Sequence, residues 1–252
     1  MQYLTAAETI NNAGVEAGLT PVNDPYSAAD ESFVQLRYLL NTSGKRLVYH
    51  YPWERLLREY TFVTDDRDPQ SYPLPDDFKY MIDQTGWMQD QNIPLGGPLS
   101  VQDWAYLQGR DLVSSTIYAS FMLNEGVLKL FPYQDMVLQD QTISYWYMSE
   151  NWVCPAGSDN LDTCMTEATR ADDVILIPDP IPMLYLKSRF LGAKGMDTTA
   201  ADAEFSDAFL ALSGMNKSAP ILSAGGMYRG EFGMPYLNTW RNAPDTKYGL
   251  PQ

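Results

Sequence analysis

The sequence predicts an α+β protein: a helical bundle domain with a β-rich insertion and an extended C-terminal arm. Three observations lead there. Apolar residues recur at helical spacing through the first sixty residues and again over 182–212. Between those stretches, runs of aromatic and β-branched residues separated by Pro, Gly and Asp turns have the texture of strands. Beyond Asn216 neither period persists, and the composition shifts to Gly, Pro, Asn and aromatics. The expected division is 1–58 with 178–215 as the helical domain, 59–177 as the insertion and 216–252 as the arm.

Taken in order, Thr5-Ala-Ala-Glu8 is a capping box that opens a helix, and Gly18 is placed to end it. Pro21 to Pro25 forms a turn. A second helix runs from about Ser27 to Asn41, with Ala29, Phe33, Leu36 and Leu40 on one stripe. Thr42-Ser43-Gly44 is expected to interrupt or weaken it, with helical character resuming through Arg46 to His50 and again from Trp53 to Arg58. Tyr60 to Thr64 reads as a strand followed by an acidic turn. Tyr72-Pro-Leu-Pro-Asp-Asp-Phe78 is expected to start a short helix ending near Asp83. Pro94 to Pro98 is a rigid turn, and Ser100 to Asp103 caps a helical turn carrying Trp104 and Leu107. Strands follow at 116–122, 127–131 and 142–148, the last two alternating too poorly to set their register. Val174 to Ile177 is a short apolar run. Pro182 starts a helix through Leu191, and Asp197 opens another carrying Ala201, Phe205, Ala208, Phe209 and Leu212.

Composition narrows the function. The 252 residues are 45% hydrophobic and 13% aromatic, which suits a globular chain. Its 17 Tyr and 6 Trp bury much area at low entropic cost and favour interfaces. Net charge is -15, from 32 acidic and 17 basic residues, the wrong sign for gripping nucleic acid. That charge confers solubility, or lines a surface past which DNA slides without sticking. No apolar run reaches the roughly 18 residues of a membrane span, and the N-terminal segment lacks the pattern of a secretory signal, so no membrane is expected. Cys154 and Cys164 can close a small disulfide loop or stay reduced, and reduced thiols are favoured for a protein made in the cytoplasm.

Chemistry-bearing motifs are missing from the sequence. His50, the single histidine, sits among aromatics at a helix end, with no G-x-S-x-G elbow to pair with. Ser43-Gly44-Lys45 is too short for a phosphate loop, and neither G-x-G-x-x-G nor H-E-x-x-H occurs. The acidic clusters Asp65, Asp66 and Asp68, Asp76 and Asp77, and Asp172 and Asp173 all fall at turns or helix starts, where Asp caps and turns the backbone. No catalytic residue, cofactor or metal site is therefore expected.

Several segments in order resemble the head-to-tail adaptor proteins of short-tailed bacteriophages, broadly the tail tubular A type. They are Tyr51-Pro-Trp53 through Thr64, Tyr72 through Ile82, Thr85-Gly-Trp87, Pro94 through Trp104, Ile143 through Trp152, and the closing pair Leu184–Leu191 and Asp197–Leu212 joined by Gly192 to Gly195. The likeness spans roughly residues 1–215. The cysteine loop and the arm lie outside the family pattern. The resemblance implies a structural virion protein of the tail neck, made in the host cytoplasm. It would form a homo-oligomeric ring of twelve copies between the portal protein and the tail nozzle, with tail fibre proteins as further neighbours. The genome would pass through without specific binding. Asp65, Asp66 and Asp68 are the candidate lumen residues, and Tyr228, Phe232, Tyr236, Trp240 and Tyr248 the candidate docking residues of the arm. The alternative is a carbohydrate-binding or glycan-degrading tail-associated protein using Tyr, Trp and the pair Asp76 and Asp77.

Overall fold

The structure is a computed structural model that describes residues 3–66, 70–110, 119–131, 140–158 and 161–216. In chain order its elements are α1 (Ala6–Glu16), α2 (Glu31–His50), a 3-10 turn at Glu54–Leu56, and β1 (Leu57–Val63). Then come β2 (Ser71–Pro73), β3 (Phe78–Met81), β4 (Trp87–Met88), β5 (Ile93–Pro94) and α3 (Val101–Arg110). After these follow β6 (Ser120–Asn124), β7 (Val127–Phe131), β8 (Thr142–Ser149), β9 (Val153–Cys154) and β10 (Val174–Ile175). The helices α4 (Ile181–Ala193) and α5 (Thr199–Asn216) complete the described part. The α+β class is borne out. The chain divides into two compact units, one joining residues up to Leu57 with those from Ser149 onward, the other spanning Arg58–Met148.

In the helical unit, the Thr5 capping box forms as expected: Glu8 N donates to Thr5 Oγ1 at 3.2 Å and Thr5 N donates to Glu8 Oε2 at 2.8 Å. The segment after Asn41 does not break. α2 continues through Thr42-Ser43-Gly44 because Ser43 and Gly44 face inward, and Gly44 lies directly under the fully buried Trp152. The glycine that reads as a helix breaker is there for a close approach. The helix expected at Trp53 to Arg58 is only the 3-10 turn, after which β1 begins at Leu57. α4 packs against α1, α2 and α5, burying Leu184, Leu186 and Phe190. Lys187 on the same helix reaches Glu16 of α1 at 2.9 Å and Glu204 of α5 at 2.8 Å, clamping the three together.

Residues 149–177, expected to go with the strands, pack on these helices. Ala6 N donates to the Asp173 carbonyl at 2.7 Å and Ile175 N to the Leu4 carbonyl at 3.0 Å. The Asn41 side chain pairs with the Ala168 backbone in both directions, at 3.2 and 2.8 Å. Cys154 and Cys164 are joined by a disulfide, where reduced thiols were favoured. Pairing of β9 with β10 and the Val153–Met165 bridge fold this loop back on itself and bring the sulfurs together, a proximity that sequence separation alone does not reveal.

The second unit has two antiparallel sheets. One runs β1-β8-β4-β5 with β3 also pairing β8, and the other runs β2-β7-β6. They share a core of Tyr72, Met81, Met88, Leu95, Phe121, Leu128, Leu130, Ile143, Tyr145 and Tyr147. The short helix expected over 72–83 is absent, replaced by β2 and β3. Tyr72 pairs with Leu128 of β7 and is 4% exposed, so a cross-strand site for its ring overrides the local helix-start signal. The strand expected at 116–122 is β6, which begins at Ser120; residues 111–118 lie outside the described ones.

Burial, chiefly, raises the pKa of Tyr145 and Tyr147, with the Asp77 hydrogen bond adding to Tyr147, and burial does the same for Tyr26. A raised folded value means the stabilisation is complete below the unfolded pKa of 10.0 and is lost as pH rises through the folded one. Lys187, raised by its hydrogen bonds to Glu204 and Glu16, acts in the same direction. Urea midpoints should therefore decline steadily once pH passes 10.0. A midpoint independent of pH there would show these phenols to be solvated.

Candidate functional site

Of the acidic candidates for a lumen, Asp65 is tied into a turn. Its backbone N donates to the Tyr72 hydroxyl at 3.1 Å, Gln70 Nε2 donates to its carbonyl at 2.9 Å, and the Tyr72 hydroxyl donates to Gln70 Oε1 at 2.5 Å. Asp66 is exposed. Asp68 and the arm residues Tyr228, Phe232, Tyr236, Trp240 and Tyr248 lie outside the described residues.

The pair Asp76 and Asp77 does not present two similar carboxylates. Asp76 is exposed, whereas Asp77 Oδ2 meets Arg58 Nη1 at 3.0 Å and Asp77 Oδ1 accepts from the Tyr147 hydroxyl at 2.8 Å. Arg58 and Asp77 side chains are only 11% and 12% exposed, so this carboxylate holds β1 to β8. Asp173 is likewise structural: it is buried, and one carboxylate oxygen accepts from the backbone N of Thr169 and of Arg170, each at 2.8 Å. His50 ends α2 edge-on to Tyr185 and Phe209, at 6.2 and 6.4 Å between ring centres.

Among the described residues, three surface features bear on a site. On α2, Val34 and Tyr38 stand one turn apart on the outer face, 47% and 71% exposed. Elsewhere in the helical unit a hollow of about 560 Å³ is lined by Leu39, Tyr185, Ser188, Arg189, Thr198 and Asp202 among others. Asp202 there accepts from Ser188 Oγ and from Thr198 Oγ1, contacts that hold its pKa below the usual carboxylate value, the Ser188 bond first. Arg189 Nε is buried in the same unit with no hydrogen-bond partner among the described residues. In the β unit, a cleft of about 430 Å³ opens on the sheet face opposite Ile143, Tyr145 and Tyr147. Trp146 projects on that face, the one exposed residue in the buried run of β8 from Ile143 to Ser149. Trp87 stands across from Ser144 in the β4–β8 register and completes the aromatic floor.

Sequence reasoning missed this cleft. Its only trace is the run Tyr145-Trp146-Tyr147, which puts aromatics on both faces of one strand, and a strand with one face on the core has no packing use for the second. Among the described residues no helix is long and apolar enough to cross a membrane, and no group of three or more His, Cys, Asp and Glu is placed to hold a metal ion. No family model matches the chain, and no curated protein matches it.

Proposed function

We propose that the chain is a structural subunit of a homo-oligomeric ring joining a phage portal to a short tail, with an assembly role and no catalytic one. The observation that carries this reading is the outer face of α2. Its inner face already fills a core with Phe33, Leu36, Leu40 and Leu47, yet Val34 and Tyr38 are held out in water. Side-by-side packing of copies gives such residues a place to bury. A net charge of -15 suits a conduit that releases DNA, and the aromatic segment 216–252 supplies rings for docking on the portal and nozzle.

Electron microscopy of the chain mixed with portal protein tests this. The expected result is a ring of portal symmetry, lost in Tyr38→Glu although that variant melts like the parent. Deletion of 216–252 should weaken portal binding at least about tenfold, a loss of roughly 1.4 kcal/mol. Retained rings in Tyr38→Glu would remove the α2 interface, and unchanged binding by the truncated chain would remove the arm.

A further inference from the structure

We propose that the cleft over β8 and β4 is a binding site for a neutral saccharide, a property independent of the ring assignment. The floor is two indoles, Trp87 half-buried and Trp146 43% exposed. Around them stand Glu59, Gln84, Thr85 and Asn92. Thr85 is committed, its Oγ1 donating to the Ile82 carbonyl at 2.6 Å and accepting from Trp146 N at 3.1 Å, which pins the turn against the strand that carries Trp146. The carboxylate of Glu59 and the amides of Gln84 and Asn92 make no side-chain hydrogen bond among the described residues. Three polar groups with unused donors and acceptors thus ring an aromatic floor.

The backbone points the same way. Gln84 and Asn92 have φ of 64° and 54°, in the left-handed region that Asn adopts readily and that costs a Gln about 1 kcal/mol. Each ends a turn, and both residues line the cleft with the two indoles. A sugar ring fits this chemistry: its apolar C–H face stacks on an indole while its edge hydroxyls need mixed donors and acceptors. The volume of about 430 Å³ falls in the range of small-ligand pockets. A nucleic acid could stack equally well, but its phosphates would meet the Glu59 carboxylate and a net charge of -15. An anionic sugar is disfavoured for the same reason.

Titrating the full chain with trisaccharides of glucose, of galactose and of N-acetylglucosamine, read by tryptophan emission and calorimetry, tests the proposal. At least one should saturate with a Kd of about 1 mM or tighter. Trp146→Ala should weaken it at least about tenfold, Trp146→Phe should restore part of the binding, and both variants should melt within a few degrees of the parent because the residue is on the exposed sheet face and outside the core. Flat titrations with all three sugars up to about 10 mM overturn the proposal, as does undiminished binding by Trp146→Ala. Flat titrations together with loss of portal rings in Trp146→Ala would assign the face to a protein partner instead. Sugar binding needs no portal, so its failure and that of the ring reading are seen separately.

Discussion

Gly44→Ala should destabilise the protein by about 3 kcal/mol or more, against the roughly 1 kcal/mol gain that alanine normally brings to a helix interior. A Cβ at position 44 would fall 2.2 Å from Trp152 Cζ2 and 2.3 Å from Cε2, well inside any tolerable contact. The ring has nowhere to go. Trp152 is 0% exposed, and its indole N–H donates to the Thr166 carbonyl at 2.7 Å, so turning it away would orphan a buried donor. Urea melts of Gly44→Ala, Trp152→Leu and the double variant check this. Trp152→Leu alone should cost about 3 kcal/mol, and the double variant should lose less than the sum of the two. Additive losses, or a stabilised Gly44→Ala, would show that the helix and the indole do not touch.

Asp77→Ala has the second large effect, about 3 kcal/mol. The substitution removes the carboxylate that meets Arg58 Nη1 at 3.0 Å, at a site where the Arg58 side chain is only 11% exposed, and removes the acceptor of the Tyr147 hydroxyl. Asp77→Asn keeps an acceptor for Tyr147 and loses the charge, so it should cost roughly half as much. Asp76→Ala, at an exposed turn position, should stay within about 0.5 kcal/mol. This ordering separates a structural carboxylate from a catalytic pair. Equal, small losses from all three would reopen the reading in which Asp76 and Asp77 act together on a glycan.

Much of the fold was legible because local rules govern it. The Thr5–Glu8 capping box, the end of α1 near Gly18 with φ of 86°, β7 at Val127–Phe131 and the α4–α5 pair follow from capping, glycine and apolar period. The misreadings share one cause. Gly44 looked like a breaker because the sequence does not show Trp152, 108 positions later, lying on it. Tyr72 looked like the prelude to a helix because its partner Leu128 is remote in sequence. The site was less legible still. Trp146, Trp87, Gln84 and Glu59 come from separate turns and strands, and only sheet register collects them.

What the sequence by itself determined is the class, the helices with marked caps, the acidic aromatic character and the lack of any phosphate, elbow or zinc motif, all properties of neighbouring residues or of composition. Tertiary structure alone decided which glycine is a contact, which aspartate is a strut, that two cysteines meet, and that two tryptophans line one cleft. Those are properties of residues far apart in the chain, and pairing between strands and packing between helices, more than local propensity, decide them.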